Sequence, residues 1–357
     1  MKLIKKLVYI TIIAAIALNF AACSGKEEAK TAPEAVATPV PEENAAKETP
    51  AATLSAEDKA DAGKQDKSVD VIFFMGQSNM CGCGGDASLA PKVSEEAGME
   101  FRAYSDPTRL YPIEEPFGVN ENNPDGIGDF PGVKNGSLVS AFVNKYHELT
   151  GRQVIAVSAA KGESPISMWL SSTMMADLKD RYDKTLAYLK DNGYAAEHIY
   201  VIWLQGESDG LEKKSPDVYR TQLDDLMRPL FEAGLEKVFI IPPGRMIDFS
   251  DIFLDIIKAQ EDLCTESEYY ALATTVLTGV SPEYMKDQYH YNQHVLNMTG
   301  QLAAESVAYY TQNGKELIVY DYRQGEGDFL VPEGTDPDTD QKEEPIDLYN
   351  TDINAKY

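Results

Sequence analysis

Positive charge and cysteine are both scarce in this chain. Lys and Arg number 32 against 58 Asp and Glu, for a formal charge of −26 at pH 7. That balance excludes a nucleic-acid partner and electrostatic attachment to anionic lipid. The four cysteines are Cys23, Cys81, Cys83 and Cys264. They have neither the spacing of a disulfide framework nor, with the histidines, that of a zinc finger. Cys81 and Cys83 sit too close to bridge each other without strain. A bridge from either to Cys264, or plain buried thiols, both remain open. Long apolar runs are missing too. Near the start, only residues 7–18 are continuously apolar, fewer than the roughly 20 a spanning helix needs. No repeat of fixed period is present.

The short apolar run follows Lys2, Lys5 and Lys6 and ends in Phe20-Ala21-Ala22-Cys23. A charged start, a short apolar stretch and small residues before a cleavage point make a secretory signal. The end resembles the lipobox of bacterial lipoproteins. This implies an exported chain lipidated at Cys23 and held to the membrane by acyl chains rather than basic residues. An ordinary signal cleaved after Ala22 is the alternative. Residues 24–67 contain no aromatic side chain and cannot bury enough apolar surface to offset the entropy of ordering them. They read as a tether. Residues 326–357 are acidic and read as a solvated tail. Between the two lies one globular domain, residues 68–325, long enough for a full core.

Within this domain strand-length apolar runs alternate with segments of helical period. Residues 71–75 (VIFFM), 153–158 (QVIAVS), 198–204 (HIYVIWL), 237–241 (KVFII) and 271–276 read as strands. Residues 137–149 place Leu138, Phe142, Tyr146 and Leu149 on one face, with Gly151 just past the end. Further helices are expected over 174–190, from Pro216, over 251–263 and over 292–311. The alternation predicts an α/β fold, a central parallel sheet with helices on both faces. Residues 81–136, rich in Gly, Pro, Asn and Asp, read as a long loop region bordering a site.

In such a sheet, ligands bind outside the carboxyl ends of the strands. Three ends carry polar clusters. Gly76-Gln77-Ser78-Asn79-Met80 follows the first strand and offers a hydroxyl at a strand-to-helix turn, as nucleophile or simply as helix cap. Gln205-Gly206-Glu207-Ser208-Asp209 follows the 198–204 strand, with turn and cap chemistry as its bland reading. Asp287-Gln288-Tyr289-His290 precedes the last helix. There an Asp three residues before a His can accept the imidazole Nδ1–H and leave Nε2 for a nucleophile. His290 and His294 also have metal-ligand spacing, but no third ligand is apparent.

The set GQSNM, AKGES…MW, WLQGESD and DQYH resembles the SGNH-hydrolase superfamily, and within it the sialate O-acetylesterase and acetylxylan esterase family, over residues 70–312. The resemblance implies a three-layer α/β/α sandwich, similar to flavodoxin. It implies Ser78 as nucleophile, His290 as general base and Asp287 as its orienting acid. The oxyanion hole it implies comprises Ser78 N–H, Gly162 N–H and the Gln205 side chain, with Gln77, Asn79 and Glu207 supporting. Relatives commonly have AKGG where this chain has Gly162-Glu163. The expected activity is removal of acetyl groups from carbohydrate, with no metal or organic cofactor. Tyr104, Tyr111 and Phe117 are candidates to stack on sugar rings. A non-catalytic glycan-binding lipoprotein and an esterase of lipid or peptidoglycan esters are the competing readings.

Overall fold

A computed structural model describes residues 67–324. The signal segment, Cys23, residues 24–66 and the acidic tail lie outside the described residues. The sheet is built from β1 (Lys67–Gly76), β2 (Gly98–Phe101), β3 (Leu110–Pro112), β4 (Val154–Ala160), β5 (Tyr194–Leu204), β6 (Lys237–Ile240) and β7 (Tyr270–Leu272). Their order is β3-β2-β4-β1-β5-β6-β7. Every pairing is parallel except β2 with β3.

The helices are α1 (Ser78–Cys81), α2 (Val139–Thr150), α3 (Ile166–Trp169), α4 (Ser172–Asp191), α5 (Glu207–Leu211), α6 (Pro216–Glu232), α7 (Leu254–Glu266) and α8 (Gln293–Asn313). Two cores, one on each sheet face, follow from the two-residue period of β1. Ile72 and Phe74 pack with Phe142 and Tyr146 of α2 and Leu296 of α8. Val71, Phe73 and Met75 pack with Leu178 and Tyr182 of α4 and Leu223 of α6. Helix, sheet and helix thus form the expected three layers. Burial on both faces explains why β1 reads as a continuous apolar run.

The predicted helices are present with small shifts at their ends. Gly151 closes α2 in the left-handed conformation, and Ser171, Ser215 and Asn292 cap α4, α6 and α8 through their side chains. Two expectations need correction. The predicted strand over 271–276 is only Tyr270–Leu272, after which the chain turns into a short 3₁₀ segment at Val276–Gly279. Residues 81–136 are not loop throughout, because they supply β2 and the antiparallel edge strand β3. Two carboxylates, buried Glu121 and half-buried Glu115, order the rest of that segment. Glu121 accepts the N–H groups of Tyr104 and Ser105. Glu115 accepts those of Phe117 and Ser137 and the hydroxyls of Ser137 and Ser140. Such bonds satisfy backbone donors without a ladder or a helix, so they leave no periodic trace in the sequence.

Candidate active site

The central strand β1 delivers the nucleophile candidate. Its last residue, Gly76, has φ +145°, and a Cβ there would lie 2.0 Å from the Leu204 carbonyl oxygen of β5. Only glycine permits that approach. Ser78 then opens α1, where the first N–H groups of a helix have no intrahelical acceptor. Gly84, just beyond, is equally constrained, since a Cβ would come 2.9 Å from His290 Cβ. The segment after α1 therefore lies directly against the histidine.

Asp287 organises the base. Its Oδ1 accepts the backbone N–H of Tyr289 at 2.8 Å and of His290 at 2.9 Å, and its Oδ2 meets His290 Nδ1 at 2.7 Å. Burial alone would raise the Asp287 carboxyl. The bond and charge of His290, with the two N–H donors, outweigh it and hold the group below the usual carboxylate range. With Nδ1 engaged, Nε2 is the imidazole nitrogen left to take a proton.

Asn79 ties this pair to the serine. Its Nδ2 donates to Glu207 Oε1 at 2.7 Å and to the Tyr289 carbonyl at 3.1 Å, and its Oδ1 accepts the Tyr291 N–H at 3.3 Å. The residue next to Ser78 thereby holds both chain neighbours of His290. Glu207, which opens α5, is almost wholly buried, and burial pushes its carboxyl up. Gln77, on the other side of Ser78, accepts the N–H groups of Gly206 and Ser208. The structure thus gathers Ser78, Asp287, His290, Gln77, Asn79 and Glu207.

The oxyanion donors expected from the family resemblance are arranged differently. Gly162 N–H donates to Asp129, at 2.9 Å to Oδ1 and 3.2 Å to Oδ2. Gln205 is fully buried, its Nε2 donating to the Ser164 carbonyl and to Asp209 while its Oε1 accepts the Tyr219 hydroxyl. A carbonyl and a carboxylate can only accept, so this amide orientation is dictated by its partners and leaves no N–H over. Glu163 adopts φ +51°, the left-handed conformation that a glycine takes without strain.

The cysteines do not compete with the serine. Cys81, Cys83 and Cys264 are free thiols. Cys81 donates to Asp129, and burial, followed by the Asp129 charge, pushes the thiols of Cys81 and Cys83 up, away from the reactive thiolate. Among the described residues no group of three or more His, Cys, Asp or Glu side chains is placed to hold a metal ion.

The aromatic expectations divide. Phe117 is core, packed edge-on against Phe74. Tyr111 lies on edge strand β3 under the guanidinium groups of Arg102 and Arg109, at 3.9 and 4.4 Å from its ring centroid. Tyr104 stays partly exposed. Sequence reading missed Asp129 and its neighbour Phe130, which is 85 % exposed. Their only sequence signal is an acidic and an aromatic residue within a Gly/Pro-rich stretch.

The fold is a three-layer α/β/α sandwich with polar clusters at the carboxyl ends of its parallel strands, and the protein is a carboxylic ester hydrolase. The chain belongs to the carbohydrate esterase family described as sialic acid-specific acetylesterase, whose model matches residues 68–309. Among solved structures it is similar to a protein of Arabidopsis thaliana, with 19 % identity, a TM-score of 0.50 and coverage of 70 % of this chain and 99 % of that one. A carbohydrate acetylesterase from Xanthomonas citri shares 16 % identity, with a TM-score of 0.45 and coverage of 70 % and 58 %. An acetylxylan esterase from Geobacillus stearothermophilus shares 12 %, with a TM-score of 0.37 and coverage of 71 % and 97 %. No curated protein matches the chain.

Proposed function

We propose that the protein is a serine esterase that removes O-acetyl groups from carbohydrate, of the acetylated xylan or sialic acid kind, through an acetyl-serine intermediate. The observation that carries the reading is the Asp287–His290 pair, bonded at 2.7 Å and held beside Ser78 by the side chain of Asn79. His290 Nε2 takes the proton of Ser78 Oγ as that oxygen attacks the acetyl carbonyl carbon. The imidazolium, stabilised by Asp287, then gives the proton to the departing sugar alkoxide. Water, deprotonated by His290 in turn, attacks the acetyl-serine, and Ser78 Oγ takes that proton back from His290 as its bond to the acyl carbon breaks and acetate leaves.

The developing oxyanion is received by Ser78 N–H, and by Gly162 N–H once the acetyl oxygen displaces Asp129. A preorganised donor contributes about 3 kcal/mol, and Gly162 N–H contributes less because it must first give up Asp129. Gln205 supports the wall of the site from behind instead of donating. Phe130, exposed beside Asp129, is the aromatic face offered to a sugar ring. The lipobox-like end supports export and attachment to a membrane through an acylated Cys23, for which the intact mass of the mature N-terminus is the check.

Hydrolysis of p-nitrophenyl acetate by the full chain, beside Ser78→Ala, tests the chemistry. Loss of turnover with the serine sustains it, whereas near-native turnover in the variant rejects it. Acetate release from acetylated xylan and from O-acetyl sialic acid then separates the substrates.

A further inference from the structure

The residues on either side of Ser78 each grip another part of the site at two places. Gln77 Oε1 accepts the N–H groups of Gly206 and Ser208, at 3.4 and 3.3 Å, one on each side of Glu207. The Asn79 amide bonds Tyr289 and Tyr291, one on each side of His290. Asn79 also donates to Glu207 itself at 2.7 Å. Three segments far apart in sequence, 77–79, 206–208 and 289–291, are therefore joined pairwise through the neighbours of one serine. All the polar atoms of the Asn79 amide are used, and its orientation is fixed because Tyr291 N–H can only donate and the Tyr289 carbonyl can only accept.

We propose that Gln77, Asn79 and Glu207 are positioning residues, a double clasp that sets Ser78 Oγ against His290 Nε2 before substrate arrives. The proposal rests on the Ser78–His290 reading above. None of the three need touch substrate. Asn79 carries the connection to the base, and Glu207 holds the Asn79 amide in the rotamer that reaches it. A displacement of about 1 Å between reacting groups costs about a hundredfold in rate, so loosening the clasp slows turnover without loosening substrate binding. Residues that merely satisfied buried polar groups would change the melting temperature and leave the turnover of folded enzyme alone.

The test compares kcat and KM for p-nitrophenyl acetate in the full chain with those of Asn79→Asp, Asn79→Ala, Glu207→Ala and Glu207→Gln, each shown to be folded by near-ultraviolet circular dichroism. The rate of Ser78 labelling by a fluorophosphonate is measured alongside. Asn79→Asp is close to isosteric but has no N–H to give to Tyr289 or Glu207. It and Glu207→Ala are expected to lose about a hundredfold in kcat and in labelling, with KM unchanged. Glu207→Gln keeps an oxygen facing Asn79 and is expected to recover most of the rate. Wild-type kcat and labelling in folded Asn79→Asp would overturn the clasp, as would Glu207→Gln no better than Glu207→Ala. Should Glu207→Ala fail to fold, the Asn79 variants decide alone. A wild-type chain that labels at Ser78 but leaves acetyl esters intact rejects the substrate assignment and not the clasp, which the variants' labelling then decides. A wild-type chain that does not label overturns both.

Discussion

On the base side of the site, around Asp287 and His290, the polar groups face one another across short distances. On the oxyanion side, at Gly162 and Gln205, the donors face inward. The first arrangement is complete without substrate: Asp287 to His290 at 2.7 Å, and Asn79 to the chain on both sides of the histidine. The second is closed upon itself, because Gly162 N–H serves Asp129 and the Gln205 amide serves Ser164 and Asp209. The difference teaches that preorganisation is unequal across one pocket. Orienting a base requires partners that stay. An oxyanion donor has to be unpaired when the charge develops, and a buried donor left unpaired beforehand costs about 1–3 kcal/mol. The fold avoids that cost at Gly162 with a carboxylate from the 81–136 segment.

The sharpest way to break the comparison lies on the base side. Asp287→Asn is expected to lower kcat by about 10²–10⁴-fold, since the wrong imidazole tautomer is then favoured. The stability that Asp287 contributes has a defined sign. Its folded value lies below the ordinary one, so the contribution is present above the ordinary aspartate pKa of about 3.9 and is lost as pH falls through the folded value. Denaturation of wild type and Asp287→Asn across pH 2–7 (~2 to ~7, spanning the carboxylate range) should show the gap closing on the acid side.

On the oxyanion side the same deletion logic predicts a stability effect rather than a rate effect. Gln205→Ala strands Asp209, the Ser164 carbonyl and the Tyr219 hydroxyl, and should lower unfolding free energy by about 1–3 kcal/mol. A shifted urea midpoint at unchanged slope is the readout, with kcat of the folded fraction little altered. Collapse of kcat with full stability would return Gln205 to the oxyanion hole. Asp129→Ala releases Gly162 N–H and removes a like charge from the oxyanion position. A severalfold rise in kcat/KM for p-nitrophenyl acetate is expected, and a fall would make Asp129 a structural strut.

Glu207 gives a smaller effect with the opposite pH sign to Asp287. Burial raises its folded pKa, so folding is penalised increasingly as pH rises above the ordinary glutamate value of about 4.3. Glu207→Gln should therefore be more stable than wild type near neutrality, with the advantage fading below about pH 4. The smallest change is at Glu163. Replacement by Gly relieves a left-handed side chain worth about 1 kcal/mol but restores unfolded-chain entropy of similar size. The melting temperature should therefore hardly move.

Much of the architecture was legible in the chain. Two-sided burial makes β1 a plain apolar run, and helix α2 announces both its apolar face and its closing glycine. Strands β2 and β3 were not legible, because Glu115 and Glu121 order that region by side-chain bonds to backbone N–H groups that no period records. Phe117 was legible as aromatic but not as core. Whether an aromatic in such a segment faces solvent or Phe74 depends on the path of the loop.

The sequence by itself determined the Asp287–His290 pair, since two groups three residues apart find each other through local geometry whatever surrounds them. It likewise determined the alternation that puts three polar clusters at strand ends. Only the tertiary structure decided which partners the remaining donors take. Asn79 reaches residues 210 and 212 positions away, and Gly162 and Gln205 reach partners 33 and 41 positions away. A buried amide has several acceptors open to it in the unfolded chain. The closing of the sheet and its two helical layers brings one set within hydrogen-bond distance, and the expense of leaving any buried polar group unpaired makes that set the one adopted.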